Sequence, residues 1–423
     1  MRRLKLENFY IHSSLFGLLS LGAAALNYLL YPALTRILNI GSFGDFTAIM
    51  ALSNQILGVL LAFNLTSIYL VKKYPEKVAL ELSQAIQKVL IWLCLGSAVI
   101  LLLLAPLLRT ELHIASPLSL VALVALLLVA VPTVIWTGYL QGHKQLLQVG
   151  LFNISSAALK LIFVIVLAHL GGVAWGLSGV VIGTLGGLLV LRVSAGRALP
   201  SLSSIFTSLS KDQRAFIGST RYYILESIVV VGMLSLLQNI DIVYAKSLFS
   251  PSTAGVYGGV SILSNALYIV SFLLIWIILP EVTVTPSSHN RRIIRTAFTL
   301  FAGMGLGVIA AEILLQAWLT RLILGPAFTG QGLILIVTST YQIALVGVTL
   351  YAYYLLVRKK MSALILATCV SAPTVLAPIA VPPKNPTALI ATLLGALIFG
   401  CVMFISIMYM QGVARYVRPK TAN

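Results

Sequence analysis

The feature that most limits this chain is its succession of long apolar runs. From about residue 13 onward, stretches of roughly 20 apolar residues recur, separated only by short polar breaks. A strand of an outer-membrane barrel needs only about 10 residues and alternates its faces, so these uniform runs are read as helices. At roughly 20 apolar residues per crossing, twelve spans begin near residues 13, 46, 89, 118, 148, 172, 222, 254, 297, 332, 361 and 387. Hydrophobic residues make up 59% of the chain and charged ones 9%, whereas soluble domains carry about 25% charged residues. Most of the molecular surface must therefore meet lipid. The basic flank MRRLKLENFY precedes a first run that continues to about Leu34. A signal-peptide core is only about 7 to 15 residues long, so an uncleaved first span is expected.

Charge placement tests the span count independently. With the N-terminus inside, 22 of the 28 Lys and Arg fall on one side, in clusters such as Lys72, Lys73 and Lys77 or Arg358, Lys359 and Lys360. Five fall on the other side: Arg36, Arg109, Lys246, Arg321 and Lys384. Lys160 is left inside a span. The positive-inside rule then predicts an even number of spans, with both termini on the cytoplasmic side. The formal charge of +18 falls in bursts between apolar runs, as in loops facing anionic lipid, and so does not indicate nucleic acid. Cys94, Cys369 and Cys401 each sit alone in an apolar run, which leaves no disulfide framework and no CxxC metal site.

The longest polar connection, from Ser194 to Arg221, lies at mid-chain and divides it into an N-terminal lobe (1–196), a linker (197–220) and a C-terminal lobe (221–423). Within it Leu202, Ile205, Phe206 and Leu209 have helical spacing, so it is either a surface-lying helix or a plain tether. ELSQAIQKVLIW, from Glu81, reads as an amphipathic lead-in to the third span. Pro373, Pro378, Pro382, Pro383 and Pro386 crowd the eleventh span, which is expected to be kinked or only partly inserted.

The stretch from Leu237 to Pro280 places Asp241 in an apolar helix, breaks at Ser250-Pro251 and restarts through Gly255, Gly258 and Gly259. The first half holds its echo. GDFTAIMALSN, from Gly44, aligns with GVYGGVSILSN, from Gly255, with Gly, Leu, Ser and Asn identical, Phe46 opposite Tyr257 and Ile49 opposite Val260. The offset of 211 positions is about half of the 423 residues, as a duplicated unit would give. Internal repeats with substrate between them are a transporter signature.

These residues carry a family resemblance. LTRILNIGSFGDFTAIMALSNQILGVLLAFNLTSIYLVKK, from Leu34, is similar to the opening of bacterial polysaccharide and O-antigen flippases, the polysaccharide transporter branch of the multidrug/oligosaccharidyl-lipid/polysaccharide exporter superfamily. NIDIVYAKSLFSPSTAGVYGGVSIL, with its closing Leu279 and Pro280, resembles that family's seventh and eighth spans, and YLQGHKQ, from Tyr139, resembles its fourth-to-fifth loop. Where members often carry Gly-x-Tyr, this chain has Gly44-Asp45-Phe46, and its proline-rich eleventh region also departs. The resemblance covers most of the chain. It implies an all-α membrane protein of twelve transmembrane helices in two six-helix lobes, related by pseudo-symmetry around a central cavity that opens alternately to either side. The implied cargo is a polyprenyl-diphosphate-linked oligosaccharide moved outward for surface polysaccharide synthesis, without a cofactor. Membrane lipids, a polysaccharide polymerase and chain-length machinery are the implied partners.

The residues themselves ask for a polar, partly cationic path, since a sugar head and an anionic diphosphate must cross hydrocarbon. Lys160 lies about thirteen residues into the fifth span, near the midplane at 1.5 Å per residue. Asn153, Ser156 and Ala157 precede it on the same helical face. It either faces the cavity and attracts the diphosphate or tethers helices through a buried acid. Asp241, after Gln238 and Asn239, must pair, bind a proton or sodium, or meet the head group, and Arg36 is the expected partner. Glu312, for which Lys160 and Lys246 are candidate partners that the sequence does not decide between or require, and Glu226, beside Arg221 and Tyr222, are further acids for ion coupling or a buried pair. Asn27, Asn54, Gln55 and Asn64 add amides that either contact sugar or join helices. Trp92, Trp136, Trp175, Trp276 and Trp318 read mainly as interfacial anchors.

A cation-coupled multidrug exporter of the same superfamily would depend on acids within first-lobe spans, but Glu7, Asp45, Glu76, Glu81 and Glu111 all read as span ends or loops. A membrane-embedded glycan polymerase or acyltransferase would need a sizeable outer loop with clustered catalytic groups. The outer loops are short, and His12, His113, His143, His169 and His289 are scattered. No Asp-x-Asp and no GxxxxGK[ST] occurs, so nucleotide chemistry is not expected, and GMGLG at Gly303 reads as helix packing.

Overall fold

The computed structural model describes residues 2–196, 199–201, 210–278, 288–358 and 361–417. Leu202, Ile205, Phe206 and Leu209, like Leu279 and Pro280, lie outside them. Regular structure among the described residues is entirely helical: α1 (Arg2–Ile37), α2 (Ile40–Lys73), α3 (Glu76–Leu103), α4 (Ala105–Glu111), α5 (Leu118–Gly142), α6 (Leu146–Ala195), α7 (Lys211–Gln238), α8 (Ile240–Leu248), α9 (Pro251–Ile278), α10 (Ser288–Ile323), α11 (Gly332–Val357), α12 (Ser362–Ala380) and α13 (Pro386–Val417), with a short 3-10 turn at Pro326–Phe328. Nine of these, among the described residues, are long and apolar enough to cross a bilayer, and the pair α7–α8, bent by 50°, makes a tenth. The 50-residue α6 crosses twice, because Gly171 and Gly172 are non-helical and Gly172 has φ 72°. With the 28-residue α9 the chain reaches the expected twelve crossings.

Helices extend beyond their apolar runs wherever polar ends can be solvated. α2 starts at Ile40, not 46, with Asn39 accepting from the Ser42 N–H at 2.8 Å. α3 starts at Glu76, not 89, and buries Leu82, Ile86 and Leu90 from the amphipathic lead-in. The segment 197–220 is helix from Lys211 onward: Ser210 and Gln213 form a capping box, and the Gln213 amide donates to the Glu81 carbonyl of α3 at 3.1 Å.

The eleventh span is a continuous 19-residue helix despite Pro373 and Pro378. Pro373 has no N–H for the Cys369 carbonyl, and α13 covers that oxygen through Gly400, where a Cβ would collide with it.

Helices α1–α6 form one lobe and α7–α13 the other, each around its own apolar cores: Val131, Ile135 and Leu140 are buried in the first, and Leu345, Val370 and Leu393 in the second. Helix α2 joins them. It packs on α5 within its own lobe and on α7, α8 and α9 of the other. The two repeated segments meet here. Gly44 packs on the Gly255 backbone, with an added Cβ only 3.0 Å from the Gly255 Cα, and Thr47 meets Gly258. Small residues allow this close crossing of the two helices.

Candidate functional site: a lysine-lined cavity between the lobes

The break between α7 and α8 shapes one wall of the site. A helix end leaves carbonyls without intrahelical donors, and in a membrane these need other partners. The Leu236 carbonyl accepts from Gln55 of α2 at 3.1 Å, Leu237 from the Tyr341 hydroxyl at 2.8 Å, and Gln238 from the Gln342 amide at 3.2 Å. The bend at Asn239 is therefore built into both lobes. It turns Gln238 and Asn239 onto the wall of a cavity of about 1170 Å³, larger than the roughly 300–1,000 Å³ of ordinary small-molecule pockets.

That cavity is framed by α1, α2, α5 and α6 of the first lobe, by the α7–α8 junction and by α9. Along α2 it extends from Thr47 to Lys72, about 37 Å at 1.5 Å per residue. Among the described residues three cations line it. Lys72 and Lys144 stand at the basic end of the bundle, and Lys160 stands deeper, 14 residues into α6. Among the described lining residues none is Asp or Glu.

Lys160 makes no ion pair or hydrogen bond among the described residues, so of the two readings the tether to a buried acid is not the one seen there. Asn153 and Ser156 share its face and also line the cavity, with the Asn153 amide donating to Ser20 of α1 at 3.2 Å. The second arm of α6 lies flush against the first because Gly179, Gly183 and Gly187 face Val164, Lys160 and Ser156. A side chain at Gly183 would collide with the Lys160 backbone.

Asn27 and Asn54 also stand on the wall. Asn64 does not: its amide donates to the Val134 carbonyl and the Thr137 hydroxyl, both at 3.1 Å, and joins α2 to α5. Arg36 is exposed at the far end of α1, donating to the carbonyls of Pro32 at 2.8 Å and Leu322 at 3.3 Å. It is therefore not the partner of Asp241. That carboxylate, fully buried in the first turn of α8, accepts through Oδ2 from Tyr257 at 2.9 Å and Ser261 at 2.6 Å. The positive end of the α8 dipole also favours an acid there. Glu312 accepts from Ser339 at 2.6 Å and pairs with neither Lys160 nor Lys246. Glu226 is partly exposed on α7, off the cavity wall.

Lys246 and Asp45, which read in sequence as loop and span-end charges, form a buried ion pair at 2.6 Å, with side chains only 2% and 7% exposed. The pair ties α8 to α2 at the end of the bundle opposite Lys72 and Lys144. The Ala115 N–H also donates to Asp45 Oδ2 at 3.2 Å, His113 Nδ1 lies 3.4 Å from the Lys246 carbonyl, and Phe43 meets Phe328 edge-on. These contacts close the lobes together at that end, while the cavity reaches the basic end.

Fold and site together define a multi-pass membrane protein of two six-helix lobes around a central cavity. No protein-family model and no curated protein sequence matches the chain. Solved structures do. A multidrug resistance MATE family transporter of the MOP superfamily, in an inward-facing conformation, superposes with a TM-score of 0.66 at 13% identity over 93% of this chain and 96% of its own. The lipid II flippase MurJ, inward closed, gives 0.64 at 14% identity over 93% and 87%. The eukaryotic MATE transporter AtDTX14 gives 0.64 at 13% identity over 95% and 96%. At such identities the likeness is one of fold.

Proposed function

We propose that this protein is a flippase that moves a polyprenyl-diphosphate-linked oligosaccharide across the bacterial inner membrane by alternating access, for surface polysaccharide synthesis. The observation that carries the reading is the cavity wall: among the described lining residues, three lysines and no carboxylate. A cation in hydrocarbon is costly unless water or an anion stabilises it, and a diphosphate supplies the matching charge at the depth of Lys160. A cationic drug would call for the opposite wall. The fold is shared with a lipid II flippase as well as with multidrug transporters and is compatible with the reading, and the amides beside the lysines suit a hydroxyl-rich head.

The basic end then faces the cytoplasm by the positive-inside rule, with both termini on that side. Cargo enters among Lys72 and Lys144 and is held at Lys160. Release needs the Asp45–Lys246 end to open. Asp241 and Glu312, each buried and bound to hydroxyls but off the cavity wall, are the groups we assign to ion coupling.

The test is a strain lacking this chain. Lipid-linked repeat units should accumulate on the cytoplasmic leaflet and return to normal when the chain is restored. Unchanged export of every surface glycan, together with new sensitivity to cationic drugs, would replace this reading with that of a multidrug exporter.

A further inference from the structure

Among the described lining residues, the three lysines come from the first lobe, whereas the second lobe presents amides: Gln238 and Asn239 at the α7–α8 bend and Asn265 on α9. Two of these amides have unmet hydrogen-bonding capacity. Asn239 is 3% exposed and its Nδ2 has no acceptor, and the buried Oδ1 of Asn265 has no donor, among the described residues. Buried polar atoms are nearly always paired, and an orphaned one costs free energy that a new partner returns.

The internal repeat adds a second, independent observation. Asn265 occupies in GVYGGVSILSN the place that Asn54 occupies in GDFTAIMALSN, and both stand on the same cavity. The two lobes thus offer equivalent amides to one cavity, although among the described lining residues only the first lobe offers charge. Gln55, next to Asn54, reaches the Leu236 carbonyl, which brings the Asn54 region of α2 to the bend that carries Asn239.

We infer that Asn239 and Asn265, with Asn54 on the same cavity, form a subsite that reads the uncharged sugar adjoining the diphosphate, and that this second-lobe wall rather than the lysines sets glycan selectivity. The inference rests on the lipid-linked glycan reading of the cavity. Its chemistry is specific. A sugar hydroxyl both donates and accepts, so it can fill an orphaned amide oxygen and an orphaned amide nitrogen together, while an ionised phosphate oxygen only accepts. Each amide carries one donor and one acceptor group, so the match holds whichever way it is turned.

The full chain in lipid nanodiscs would be titrated with a polyprenyl diphosphate and with the same lipid bearing one N-acetylhexosamine. We expect Asn265→Ala and Asn239→Ala each to raise the dissociation constant of the glycosylated lipid about three- to tenfold, the range of one neutral hydrogen bond. Binding of the bare diphosphate lipid should be unchanged, which also shows that the variant is folded. Lys160→Met should weaken both lipids together. Equal loss for both lipids in Asn265→Ala, or loss for neither, overturns the subsite. Should the unsubstituted protein bind both lipids no better than a neutral polyprenol, it is the lipid-linked glycan reading that fails. Should Asn239→Ala disturb the helix break and fail to fold, Asn265→Ala decides the matter alone.

Discussion

A charged ammonium at mid-bilayer depth is tolerated where water or an anion meets it, and Lys160 stands on the wall of a cavity that can supply both. Replacing it by Met keeps the length and removes the charge. A charge-assisted hydrogen bond contributes about 1.5–3 kcal/mol, so Lys160→Met should slow lipid flipping in proteoliposomes roughly 10- to 150-fold, while Lys160→Arg should retain part of the activity. An unchanged rate for Lys160→Met would remove this residue from the transport path. Lys160 was legible in the sequence because ionisable residues inside apolar spans are rare. Amides are more ambiguous, since they serve equally as ligands and as links between helices. Nothing in the chain separated Asn64, which joins α2 to α5, from Asn54, which faces the cavity. Asp241 was recognisable as an acid needing a partner. That the partners are Tyr257 and Ser261, on the helix that follows the break, depends on packing that no spacing rule expresses.

The hairpin within α6 positions that lysine through the close approach of its two arms. Because a Cβ at Gly183 would run into the Lys160 backbone, Gly183→Val must force the arms apart. Overpacking of this kind costs about 1–3 kcal/mol. A lower unfolding midpoint and slower flipping are expected together, since the same displacement moves Lys160. Gly96→Ala is the counterpart: Gly96 lies within α3 with nothing near its absent side chain, and alanine there should raise stability by about 0.5–1 kcal/mol. If both substitutions shift the midpoint alike, close approach is not what Gly183 provides. Element positions were largely readable from apolar runs, but their ends were not. Hydropathy reports the hydrocarbon-facing part of a helix, and α2, α3 and α7 run on into polar residues. The prolines of the eleventh span do not interrupt α12, which spans 19 residues. Proline removes a donor, and α13 approaches the freed Cys369 carbonyl closely through Gly400, a packing contact made by another helix.

At the scale of the whole molecule, the repeat at Gly44 and Gly255 pointed to two related halves, and the structure packs those two segments against each other. What lies beside that crossing was hidden, because Asp45 and Lys246 are two hundred residues apart and each resembles an ordinary span-end charge. Their burial gives the pair its mechanical consequence. Removing one partner leaves a buried, uncompensated charge, which costs about 3–5 kcal/mol, and this cost falls on the closed state that the pair holds together. Asp45→Asn and Lys246→Met should therefore shift the population toward a state open at the Asp45 end. With Cys94, Cys369 and Cys401 replaced and a single cysteine placed at Asn54, a membrane-impermeant thiol reagent added outside the cell should label either variant faster than the parent. The double exchange Asp45→Lys with Lys246→Asp restores opposite charges across the same gap, so its labelling should fall back toward the parent rate. Recovery in the exchange separates the ion pair from a general loosening of the fold, which a second substitution would deepen. Labelling that stays at the parent level in all three proteins would mean that the apolar contacts, such as Phe43 with Phe328, keep the end shut without the charges.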